Sequence, residues 1–171
     1  GLGKSGDTIN IPAGATIANA GTATGFGGDN TPYFKMALGV NQSISTLTET
    51  VVQFNQTEFD SDSAVNLGAY KYVVPSAGKY LLSANFRMSG GGNNTMSAGN
   101  ILIYKGASSI AQVGLTPNTG SAMGIFGANT TGLHDLAAND ELTVKIYIGA
   151  GSARIDGNPS YSFFSGFKLI E

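Results

Sequence analysis

A Ser-His-acid triad needs an imidazole to take the hydroxyl proton, and His134, beside Asp135, is the only histidine in the chain. No Gly-x-Ser-x-Gly elbow surrounds any serine, and His134 reads as a strand residue just before a turn. There is no cysteine, so thiolate nucleophiles, disulfides and thiolate zinc sites are all excluded. Two carboxylates alone suffice for glycoside hydrolysis, and Glu49, Glu58, Asp60 and Asp62 are the candidates. Nothing in the sequence pairs them across a cleft or surrounds them with aromatic platforms. Gly3-Lys4-Ser5 matches only the end of a phosphate-binding loop, with no strand-loop-helix pattern around it. The four Asn-x-Ser/Thr triplets, at Asn41, Asn55, Asn93 and Asn129, are expected by chance in a chain this rich in Asn and Thr. These residue types specify no catalytic chemistry and no cofactor, and an enzyme is not expected.

The elements around these residues read as strands. Tyr80, Leu82, Ala84, Phe86 and Met88 alternate with Lys79, Ser83, Asn85 and Arg87, a period of two that puts one set on a core face. The same alternation runs through Leu142, Val144, Ile146 and Ile148, through Ile101 and Ile103, and through Tyr161, Phe163, Ser165, Phe167 and Leu169. Turn chemistry at 75–78, 89–94, 117–120, 137–140 and 149–159 separates the runs, and no segment has helical periodicity. Short strands between Gly, Pro, Asn and Asp turns indicate an all-β domain of two antiparallel sheets.

Composition bounds the partners. The chain has 171 residues, 42% hydrophobic but only 12% charged, with 25 glycines, so Ser, Thr, Asn and Gly cover much of its surface. A net charge of -2 and nine thinly spread Lys and Arg residues make no basic stripe, so nucleic acid is not an expected partner. No apolar run approaches the roughly 20 residues that span a bilayer, and membrane insertion is not expected. Leu81, Leu102, Tyr104, Tyr147, Phe164 and Ile170 fall on strand faces opposite the expected core set. A monomeric sandwich normally keeps such faces polar, so the group favours a subunit interface, with Leu81, Tyr104, Tyr147 and Phe164 as its candidates.

Two motifs give the sandwich a more specific likeness. GAYKYVVPSAGKY, with Gly68, Tyr70, Pro75, Gly78 and Tyr80, and the closing FFSGFKL, with Phe164, Ser165, Gly166, Phe167 and Leu169, resemble the signature of the C1q/TNF-like jelly-roll head. The resemblance covers residues 31–171, with 33–38 as the first strand and 51–54 as an early core strand. The segment 136–144 matches the family's Leu, turn, Gly-Asp, strand pattern, with Asn139 in place of the usual Gly before Asp140. What the resemblance implies is a C1q/TNF-like jelly-roll β-sandwich that works as a homotrimer. Some C1q-like heads bind calcium, and Asp60 with Asp62 flanking Ser61 is the nearest oxygen cluster, although no complete calcium-loop spacing is present and it reads as a solvated acidic turn.

Residues 1–30 differ in texture. GDTINIPAGATIANAGTATGFGGDN has Ile9, Ile11 and Ile17 as its only large aliphatics and cannot bury enough apolar surface to fold alone. It reads as a linker or as an intertwined stalk, and it lacks the Gly at every third position of a collagen stalk. This texture is similar to low-complexity segments of bacteriophage fibre and virion-appendage proteins. Together the two likenesses imply a trimeric virion fibre head for host-surface attachment, located at the virion surface. Its expected partners are itself, a host cell-surface glycan or protein, and other virion proteins on the N-terminal side. The expected contact loops are 89–100, with Asn93 and Asn94, and 150–159, with Arg154, Asp156 and Asn158. A structural trimerisation or capsid-decoration module and a secreted C1q-like lectin are the alternatives.

Overall fold

The computed structural model describes residues 12–16, 30–91, 96–116 and 123–169. The strands are β1 (Tyr33–Ala37), β2 (Gln42–Ser43), β3 (Thr50–Val51), β4 (Gln56–Asp60), β5 (Val65–Asn66), β6 (Lys71–Val73) and β7 (Gly78–Ser89). They continue with β8 (Ala98–Lys105), β9 (Ser108–Leu115), β10 (Ile125–Leu136), β11 (Glu141–Gly149), β12 (Arg154–Ile155) and β13 (Phe163–Lys168). All pairings are antiparallel.

A seven-stranded sheet runs β2-β12-β7-β13-β1-β4, with β10 paired along the other side of β7 over its whole length. A six-stranded sheet runs β5-β6-β11-β8-β9, with β3 also on β11. The two sheets enclose one core. From β7 come Tyr80, Leu82, Ala84, Phe86 and Met88, all fully buried, and facing them are Leu142, Val144, Ile146 and Ile148 of β11 with Ile101 and Ile103 of β8. The inward faces of β7, β8 and β11 are therefore those that the period-two pattern predicts.

Aromatic rings fill the centre. Phe34 stacks on Tyr72 at 3.7 Å between centroids and meets Phe164 edge-on at 5.1 Å. Phe54 links Phe164 to Phe86, at 6.5 and 6.0 Å. Rings of this size dominate core energetics because each removes a large apolar area from water.

Strand β13 reverses the expected facing. Phe164 is fully buried, whereas Phe163, Ser165 and Phe167 face outward, so Phe164 is a core residue and not a subunit-interface residue. The reason is registry. Phe164 lies opposite Ala84, whose small side chain on the inward face of β7 leaves room for the ring. Gly166 takes the next inward position, where an added Cβ would come within 2.7 Å of Leu82.

The remaining second-face residues divide between the sheets. Leu81 faces outward from the seven-stranded sheet, and Tyr104 and Tyr147 face outward from the six-stranded one. Leu102 also points outward, but it is only 5% exposed between Lys145 and Gln112. Ile170, the expected turn at 117–120, Asn93 and Asn94 lie outside the described residues, as does most of the 1–30 segment. In that segment residues 12–16 form a turn closed by the Ala15 amide on the Pro12 carbonyl.

Candidate functional site

Three surface regions carry the side chains that could act on a partner. The first is the acidic end near β4. Asp60 accepts a hydrogen bond from the Val65 amide at 2.8 Å through Oδ2, and Ser61 donates to Asp62 at 2.6 Å. Ser61 Oγ also accepts from the Tyr33 amide, so this turn anchors the start of β1. Behind it, Tyr72 is fully buried with no hydrogen-bond partner for its hydroxyl. Burial pushes that hydroxyl above the ordinary tyrosine range, and Tyr80, Asp60 and Asp62 reinforce the shift. No group of three or more His, Cys, Asp or Glu residues converges on a metal-sized space among the described residues.

The other carboxylates stand apart from this turn. Glu58, on β4, pairs with Lys35 at 2.9 Å. Glu49, beside β3 of the opposite sheet, accepts a hydrogen bond from Tyr104 at 2.6 Å and faces Lys145 at 3.6 Å. Lys145 also lies over the Tyr104 ring at 3.8 Å from its centroid. The outer face of the six-stranded sheet thus carries a polar, ion-paired cluster, and Tyr104 belongs to it.

The second region is apolar and lies on the outer face of the seven-stranded sheet. Tyr33, Phe59, Leu81, Ser83, Ser165 and Phe167 line a bay of about 590 Å³. Tyr33 and Phe59 meet edge-on at 5.8 Å and are 43% and 45% exposed, while Leu133, paired opposite Leu81, is 60% exposed. Four large apolar side chains and the neighbouring Leu133 on one sheet face exceed the scattered single hydrophobics of an ordinary surface. Leu81 stands here as its parity predicts. Phe167 stands here against expectation, because the facing of β13 is the reverse of the one its alternation suggests.

The third region joins β7 to the segment after β11. That segment reads as a free polar loop at 150–159, but Ala150, Ala153, Ile155 and Asp156 are buried, and β12 within it pairs with both β2 and the end of β7. Asp156 is 7% exposed and is held by two arginines: Arg154 Nε at 2.8 Å from Oδ1 and Arg87 Nε at 3.1 Å from Oδ2. It serves as a clamp and not as an exposed contact residue, because its oxygens already hold both guanidinium groups. Arg87 also lies over the Tyr161 ring, 5.1 Å from the centroid. Asn158 is committed to a turn, its Oδ1 accepting from the Ser160 amide and its carbonyl from the Tyr161 and Ser162 amides. Of Arg154, Asp156 and Asn158, Arg154 alone keeps an exposed side chain free of a turn. Arg87, which sequence reading treated only as an outward strand residue, joins it.

No protein-family model matches the sequence, and no curated protein matches it. Solved structures do. The crystal structure of murine APRIL at pH 5.0 superposes with a TM-score of 0.59, covering 80% of this chain and 98% of that one at 15% identity. The globular domain of zebrafish complement 1qA protein superposes with a TM-score of 0.56, covering 81% and 98% at 13% identity. The fold is a C1q/TNF-like jelly roll, as the two sequence motifs imply.

Proposed function

We propose that this chain is a non-enzymatic, homotrimeric head that ends a virion appendage and attaches it to a host surface. The observation that carries the trimer is the apolar bay on the seven-stranded sheet, where Tyr33, Phe59, Leu81 and Phe167 lie beside the exposed Leu133. Covering that face with an equivalent chain around a threefold axis removes its apolar area from water, and repetition of one contact closes the ring. The opposite sheet, with Glu49, Lys145 and Tyr104 already paired, has no comparable need for cover. Leu81 is the member of the expected interface that fits this arrangement.

Attachment follows from threefold repetition: three copies of each surface site face the same way, and weak contacts to a repeated surface add by multivalency. Similarity of the Gly- and Thr-rich leader to phage fibre segments supports the virion setting. The test is competition with the purified head. A fluorescently labelled head should stain host cells, and an excess of unlabelled head should reduce infection. A head that assembles or decorates the virion without binding a receptor would do neither, and that result would overturn the attachment role.

A further inference from the structure

The arginine pair around Asp156 lies well away from the apolar bay. Leu81 and Arg87 are six residues apart on β7, which at about 3.3 Å per residue separates them by roughly 20 Å. Two guanidinium groups face one carboxylate, and Asp156 is the only acid that either pairs with among the described residues. The cluster is therefore cationic. Both arginines approach Asp156 through Nε, and each guanidinium carries five N–H donors, more than one carboxylate contact uses. They are also held in place, Arg154 by the Nε–H bond it donates to Asp156 and Arg87 by Asp156 and the Tyr161 ring. Fixed forks lose little freedom on binding a planar or tetrahedral oxyanion, the ligand geometry that guanidinium matches best.

The surroundings leave space for such a ligand. Gly127 of β10 lies directly opposite Arg87, and nothing stands within 4 Å of where its Cβ would be. Beyond it the outer face carries Asn85, Asn129 and Thr131, amides and a hydroxyl with no acid among them. We propose that Arg87 and Arg154 bind the carboxylate or sulfate of an acidic saccharide, with Asp156 as the positioning residue. The inference rests on the attachment role for its biological setting, but the binding itself does not.

The experiment titrates the full chain calorimetrically with a glucuronate-terminated disaccharide, its glucose-terminated counterpart and a sulfated disaccharide. The expected result is at least tenfold preference for an acidic sugar over the neutral one, weakening as salt rises, and the better acidic probe identifies the oxyanion. Arg87→Gln and Arg154→Gln should each lose tenfold or more. Arg154→Lys, which keeps the charge and the pairing with Asp156 but not the fork, should lose less, and its melting temperature shows whether the fold is intact. Equal affinity for acidic and neutral sugars, or undiminished binding in both Gln variants, overturns the proposal. So does a fall in oligomer mass in the Gln variants with acidic-sugar binding intact, since the arginines would then serve a carboxylate of a neighbouring chain. A head that stains host cells but ignores every acidic probe sinks this inference and leaves attachment standing. A head that binds acidic sugar but no host cell does the reverse.

Discussion

His134 occupies an inward position on β10 with its Nε2 buried and without a hydrogen-bond partner. Burial, and secondarily the nearby Lys105, push its pKa below the ordinary histidine value of 6.5. The sign of the consequence follows from linkage. Above about pH 6.5 the imidazole is neutral in both folded and unfolded chains, so no stability is lost. As pH falls below that value the unfolded chain takes up the proton while the folded chain resists, and stability declines until the folded pKa is passed. Urea midpoints measured between pH 7.5 and 5 should therefore fall more steeply for the wild type than for His134→Gln. Identical slopes would show that His134 carries no such penalty. At this scale the sequence was legible where local chemistry decides. His134 is a strand residue, as its lack of catalytic partners suggested, and Asn139 stands at φ 70°, the left-handed position that Asn tolerates and the family motif gives to Gly. It was not legible for Asp156, whose burial depends on arginines 2 and 69 residues away in sequence.

Strands β7 and β11 could be faced from their alternation because only one of their two faces carries a continuous apolar set. Strand β13 could not, since Phe163, Phe164 and Phe167 put aromatic rings on both faces and parity alone has no way to choose. The sandwich chooses by volume: Ala84 across from Phe164 and the bare Cα of Gly166 together accept one ring and exclude any further side chain. Two substitutions measure this. Phe164→Ala should cost about 3–5 kcal/mol by chemical denaturation, the usual loss for a buried aromatic, whereas an interface position would leave monomer stability nearly unchanged. Gly166→Ala should cost about 1–3 kcal/mol, because its Cβ would lie 2.9 Å from the Leu81 carbonyl oxygen and 3.0 Å from the Phe34 ring, neither at the end of a flexible chain. Element β12 was missed for a different reason. Two residues among Gly, Ser, Asn and Pro show no periodicity, and the strand exists only because β2 and the end of β7 offer it partners.

At the scale of the molecule, the jelly roll was the most legible feature, because Tyr80 and Phe164 of the two motifs fill the core and Gly166 leaves room beside them. Assembly was legible only in part. Leu81 lies on the apolar outer face of the seven-stranded sheet, but Tyr104 and Tyr147 lie on the other sheet and Phe164 in the core, so parity alone mixed three environments. The outer face of the seven-stranded sheet carries Tyr33, Phe59, Leu81, Phe167 and Leu133 together, and a trimeric head requires that face to be covered by another copy. Light scattering coupled to size exclusion, at micromolar concentration, tests it directly. A trimer gives three times the 17.5 kDa chain mass for the wild type and a single chain mass for Leu81→Asp, whose carboxylate would otherwise be buried unpaired in the interface. A wild-type chain that elutes with the mass of one subunit would contradict it.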